Sequence, residues 1–181
     1  MLLYSTSGYG YSKRLCTDIL QWFCAEYMPR HNVEIDVHHC GLRYDDSYGF
    51  CDVIDGFNKP REFKISLQSR MSKQDYTTTL LHEMVHVHQW VTGTLTSKCS
   101  RMRYLGEEIN RDDYDNQPHE IDARERRSIY YIVNLLVIPN FTDTLRTVTR
   151  WWCMWVSTCI IDVYQRIHHE RRSTSHPRPR R

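Results

Sequence analysis

Leu80-Leu81-His82-Glu83-Met84-Val85-His86-Val87-His88-Gln89-Trp90 is the stretch on which the reading of this chain turns. On a helix, positions i and i+4 stand one turn apart on the same face. His82 and His86 can therefore reach one ion at a Zn–N distance of about 2.0–2.1 Å. Glu83 lies roughly 100° round from His82, beside such an ion and not on it, where it can accept a proton from water. Two ligands, a base and room for water are what the pattern HExxH supplies to a zinc site that hydrolyses its substrate. His88 projects about 140° away from the bisector of His82 and His86, so it cannot share their ion.

The flanking residues predict a helix from Ser72 to Thr92, capped by Ser72 or Asp75 and stopped by Gly93. Tyr76, Leu80, Met84, Val87 and Val91 form one apolar arc, and the two histidines point almost opposite to it. Such a helix is sandwiched, with its arc on a sheet and its histidine face under another element.

Upstream, Leu15, Ile19, Leu20, Trp22 and Phe23 recur at helical spacing between Ser12 and Tyr27, and Pro29 closes that segment. Val33, Ile35 and Val37 then alternate with polar residues, Tyr48 to Asp55 is rich in aromatic and β-branched residues, and Phe63, Ile65 and Leu67 alternate again. The expected order is a helix, a three-stranded sheet and the HExxH helix. Thr94 to Gln117 is polar and reads as a long surface loop with some local structure. Pro118 is well placed to open a further helix to about Ile138, with Asp115 or Asn116 as its cap.

Two histidines hold zinc poorly, and catalytic sites use three protein ligands. The best source of a third is Gln117-Pro118-His119-Glu120-Ile121-Asp122-Ala123-Arg124-Glu125. Glu120 falls in the first turns of that helix, with Ala123 on the same side and small enough to let two helices approach. His119 and Glu125 compete with it for the role. Tyr114 and His119 are both candidates to stabilise an oxyanion.

The chain has 181 residues, 24 Lys and Arg against 22 Asp and Glu, and ten His. That near balance excludes a uniformly basic or an acidic disordered chain. Aromatics at 12% fit a globular core, and a mean hydropathy of −0.62 argues against multiple membrane spans. The longest uncharged apolar stretch, Trp151 to Ile161, is too short to cross a bilayer. Residues 1–14 lack the pattern of a secretory signal, and seven scattered cysteines form no CxxC pair. Both point to a reducing, cytoplasmic compartment. The domain reading is a catalytic body over 1–140, a helical extension over 141–170 and a disordered basic tail over 171–181. Residues 162–181 hold six Arg and two acids, a net of +4, while the rest of the chain sums to −2. Arg171, Arg172, Arg178, Arg180 and Arg181 could contact phosphates of a nucleic acid. Trp151, Met154, Trp155 and Ile161 could form an exposed apolar patch.

The run His82 to Trp90, with Trp90 four residues after the second histidine and a helix and strands before it, resembles the SprT-like zinc metallopeptidases and the wider minigluzincin architecture. The resemblance covers about residues 10–138. It implies an α+β zincin-like fold, one zinc ion, and hydrolysis of a protein or peptide substrate with Glu83 as general base. It also implies an open strand edge for an extended peptide, with Glu62 to Gln68 as that edge. SprT proper takes its third ligand from a His-Gly context that is absent here. Glu120 in a Glu-x-x-Ala context is more similar to the glutamate-ligand zincins, among them short phage-encoded relatives that act inside a host cell. The alternative is a metal-stabilised binding protein that recruits nucleic acid or a partner with little turnover; an intact Glu83 argues for the enzyme.

Overall fold

The computed structural model describes residues 1–42, 48–56, 59–99, 101–110 and 113–137. Its element order is β1 (Leu2–Gly8), α1 (Lys13–Tyr27), β2 (Val33–Cys40), β3 (Gly49–Val53), β4 (Glu62–Gln68), α2 (Lys73–Thr92), β5 (Leu95–Lys98), β6 (Arg101–Tyr104), β7 (Glu107–Glu108) and α3 (Pro118–Val137). Met1–Tyr131 forms one compact unit; a second runs from Ile132, and beyond α3 it lies outside the described residues. The expected C-terminal helix and basic tail fall there too.

The class is α+β, with a mixed four-stranded sheet in the order β1-β2-β4-β3. Helix α1 connects β1 to β2, which run parallel with Leu2 opposite Val33, as a crossover through a helix requires. Strand β4 is parallel to β2, and β3 runs antiparallel to β4 with Gly49 opposite Leu67. One face of the sheet carries Val33, Ile35, Val37, Phe63, Ile65 and Leu67, all buried. Against it lie Cys16, Ile19, Leu20 and Phe23 of α1 and Tyr76, Leu80, Met84, Val87 and Val91 of α2, joined in one core. The five residues of the expected arc on α2 thus turn inward, and removing a side chain such as Leu80 from that packing would cost about 2–5 kcal/mol.

Three expectations need correction. Strand β1 adds a fourth strand; only Leu2 and Tyr4 mark its inner face among Ser and Thr, so its alternation is weak. Glu62–Gln68 is not an edge, because β2 and β3 take up its backbone on both sides. The edge next to it is β3, which has a hydrogen-bonded neighbour on one side only among the described residues. The polar stretch after Gly93 is a three-stranded meander, β5-β6-β7, whose chain turns through the left-handed region at Cys99 and again at Leu105-Gly106. Leu95 and Ile109 are buried beneath it.

His39, at the end of β2, is fully buried. Its Nδ1 meets the Ser7 carbonyl at 2.8 Å and its Nε2 the Tyr76 hydroxyl at 3.0 Å, while Tyr11 stacks on the ring at 3.5 Å between centroids. This histidine ties β1 and β2 to α2. The chain can fold over it because Gly8 has no side chain: a Cβ there would stand 1.9 Å from the His39 carbonyl oxygen. Among the described residues no helix is long and apolar enough to cross a membrane, and Cys16, Cys24, Cys40, Cys51 and Cys99 are free thiols.

Candidate metal centre

Helix α2 is held at both ends by local chemistry. The Ser72 hydroxyl accepts from the Asp75 amide at 3.1 Å, and Gly93 ends the helix in the left-handed conformation. The histidines sit in the middle of this helix, on the face covered by α3. That second helix starts at Pro118, and the first intrahelical bond runs from the Ile121 amide to the Gln117 carbonyl at 3.0 Å. The cap position therefore belongs to Gln117. Asp115 and Asn116, expected there, lie in a single 3-10 turn, Tyr114–Asn116.

Three side chains converge between the helices. His82 Nε2 lies 3.1 Å from His86 Nε2, and the two nitrogens lie 3.2 and 3.3 Å from Glu120 Oε2 and Oε1 respectively. Ligand atoms in a tetrahedral shell of radius about 2.0–2.1 Å stand roughly 3.3 Å apart. The three separations are of that size, the two carboxylate ones ending on different oxygens of Glu120. His82, His86 and Glu120 are a group that could hold a metal ion. His119 and Glu125 do not join it. His119 is buried in the wall of the site, with Nε2 3.5 Å from Glu120 Oε1, and Glu125 is exposed on α3. Fully buried Ala123 lies in the core, the small residue expected where α3 approaches.

The electrostatics favour a positive charge at this point. Burial alone would raise the Glu120 carboxyl, but the hydrogen bonds with His82 and His86 outweigh it and hold it far below the usual carboxylate range. Burial opposes a charge on His86, yet the adjacent Glu120 raises its pKa. His82 is lowered, chiefly by burial. Tyr114 is hydrogen-bonded with Glu120, and its phenol is pushed up by burial and by that carboxylate.

Glu83, one position from His82, is 4% exposed. Burial pushes its carboxyl up to about 7; His86 opposes the rise, and Glu120 and Asp52 add to it. A carboxylate so poised can take a proton and give it back near neutrality. Gly49 of β3 lies against it: a Cβ there would stand 2.9 Å from Glu83 Oε1. His88, excluded as a ligand by its direction, is partly buried, and burial lowers its pKa to about 4.

Gln89 was not singled out by sequence reasoning. It is fully buried, with Oε1 2.9 Å from His86 Nδ1 and Nε2 donating to the His119 carbonyl at 3.0 Å and to Asp122 Oδ2 at 2.9 Å. Asp122 in turn accepts from Arg126 Nε at 2.8 Å. The signal available was positional: His82, His86 and Gln89 stand at i, i+4 and i+7, one polar stripe on a buried helix. No protein-family model matches this chain, and neither a curated protein nor a solved structure matches it.

Proposed function

We propose that the protein is a zinc-dependent peptidase of the SprT-like, minigluzincin kind. The observation that carries this reading is the convergence of His82, His86 and Glu120 between two helices, with the buried Glu83 carboxyl one position from His82. Zinc suits the donor set of two imidazole nitrogens and a carboxylate; bound there it would supply a Lewis acid that acidifies water and polarises an amide carbonyl. Glu83 accepts the proton of the attacking water on its carboxylate and returns it to the departing amide nitrogen. Tyr114, in hydrogen-bond contact with Glu120, and His119, with Nε2 3.5 Å from Glu120 Oε1, are the side chains that would steady the developing oxyanion. Strand β3, the edge beside β4 among the described residues, would be the strand along which an extended peptide lies. The basic tail, outside the described residues, would bring such a peptidase to nucleic acid through phosphate contacts.

The test is metal content and turnover on the purified chain. About one zinc per chain is expected, with release of fragments from an unfolded protein substrate. Glu83→Gln is expected to keep the metal while turnover drops about 10²–10⁴-fold. A chain with no zinc affinity, or a Glu83→Gln variant as active as wild type, would remove the basis of the reading. The depth of the site favours a second reading, a metal-stabilised binding module, since His86 and Glu120 are only 7% and 5% exposed. That reading requires full zinc occupancy and no turnover on any unfolded substrate.

A further inference from the structure

The Gln89 amide has only one orientation that satisfies its surroundings. The His119 carbonyl and the Asp122 carboxylate can only accept, so the NH2 group faces them and the carbonyl oxygen is left for His86. His86 Nδ1 must then carry the proton that Gln89 Oε1 accepts at 2.9 Å. The consequence lies at the other nitrogen. Nε2 of His86 is then the nitrogen that faces His82 Nε2 and Glu120 Oε1, and in the neutral ring it is the one without a proton.

The same amide also sets the distance to the other helix. Its two acceptors on α3, His119 and Asp122, flank Glu120 in sequence, and Arg126 holds Asp122 in place. We infer that Gln89 is a positioning residue that presents two ligands at once, fixing the tautomer of His86 and the approach of Glu120, and so governs metal affinity. This rests on the metal-site reading above. It assigns to an uncharged side chain, fully buried and outside the HExxH pattern, control over whether the three donors can act together.

The experiment uses the full chain, Zn²⁺ and Co²⁺. Gln89→Met keeps length and volume and removes every hydrogen bond of the amide. Zinc affinity, measured by competition with a chromophoric chelator, is expected to fall about 10–100-fold, and the visible bands of the Co²⁺ form to shift. Val85→Ala, a cavity in the same helix about 80° round from the bisector of His82 and His86, serves as the packing control. Wild-type affinity and an unchanged Co²⁺ spectrum in Gln89→Met overturn the inference. So does a loss of affinity no larger than that of Val85→Ala. Should Gln89→Met not fold, ¹⁵N NMR of the wild-type metal-free chain at pH 9 decides: a proton on His86 Nδ1 is expected, and a bare Nδ1 overturns it. A wild-type chain that takes up neither metal sinks the metal-site reading instead, and the NMR measurement still judges the role of Gln89.

Discussion

Gly49→Ala tests how tightly β3 is laid over the base. The added methyl would meet Glu83 Oε1 and Thr79 Cγ2 at 2.9 Å and Leu67 Cδ2 at 3.0 Å, so at least one of three neighbours must move by several tenths of an ångström. Overpacking of this kind costs about 1–3 kcal/mol, offset by about 0.4–1 kcal/mol from the reduced freedom of the unfolded chain. A net loss of about 1–2 kcal/mol lowers the melting temperature by roughly 3–8 °C in a unit of this size. Gly41→Ala is the matched control, where among the described residues an added Cβ meets one neighbour, the Tyr9 hydroxyl at 3.7 Å. It is expected to be neutral or up to about 1 kcal/mol stabilising. Circular dichroism melts of both variants in chelator give the comparison. If the proposed chemistry is right, the displaced Glu83 carboxylate also lowers turnover about tenfold, since a misplacement of 1 Å is worth about 10²-fold. A Gly49→Ala chain that melts as high as Gly41→Ala would refute the close packing of β3 on Glu83.

The remaining predictions concern the frame around the site. His39 is held below its ordinary pKa mainly by burial, and among the described residues the groups that meet it are the Tyr76 hydroxyl, the Tyr11 ring, the Ser7 carbonyl and neighbouring His38, with no carboxylate. The unfolded chain therefore binds this proton more readily than the folded one, so the contribution of His39 is present above about pH 6.5 and is lost as pH falls below it. Urea midpoints at pH 7.5 and 5.0 should differ less in His39→Gln than in wild type; an equal difference would contradict the account. Ser72→Ala removes the cap of α2 and is expected to cost about 0.5–2 kcal/mol by denaturant titration, leaving the spectrum of the Co²⁺ form unchanged. Ala123→Leu puts three carbons into a fully buried position on α3, with an expected cost of about 1–3 kcal/mol and weaker zinc binding; unaltered binding would mean that α3 can retreat without moving Glu120.

What could be read in advance was what neighbours in sequence determine. Helix α2 was legible from end to end because its cap, its apolar arc, its stop and the His82-Glu83-His86 set are all local. Strands β2 and β4 announced themselves through Val33-Ile35-Val37 and Phe63-Ile65-Leu67, each alternating over a fully covered face. Strand β1 did not, since its place depends on pairing with residues some thirty positions away and its outward side chains are Leu3, Ser5 and Ser7. The meander strands are four, four and two residues long and carry Lys98, Arg101, Arg103 and Glu107, so too few inward positions repeat to show a period. Sheet order was hidden for a related reason. Alternation says which face of β4 is buried and nothing about which strands lie beside it, so the residues offered no check on the edge that the resemblance implied for β4, and that edge is β3. At the site, Glu120 was found because a carboxylate near a helix start is conspicuous. Gln89 was passed over because the groups it grips are a backbone carbonyl on α3 and Asp122, and a carbonyl leaves no trace in sequence.

The split of the donor set between two helices bears on when the centre can exist during synthesis. His82 and His86 are side by side as soon as α2 forms, but Glu120 is 34 positions beyond His86 (120 − 86), with the whole β5-β6-β7 meander made in between. At a synthesis rate of about 5–20 residues per second, several seconds pass before α3 can emerge and dock. A nascent chain that has reached only the meander holds His82 and His86 and an unclasped Gln89 but lacks Glu120. The centre is thus completed last, by the helix at the far end of the compact unit, and an unfinished or truncated chain carries only the two-histidine half of it.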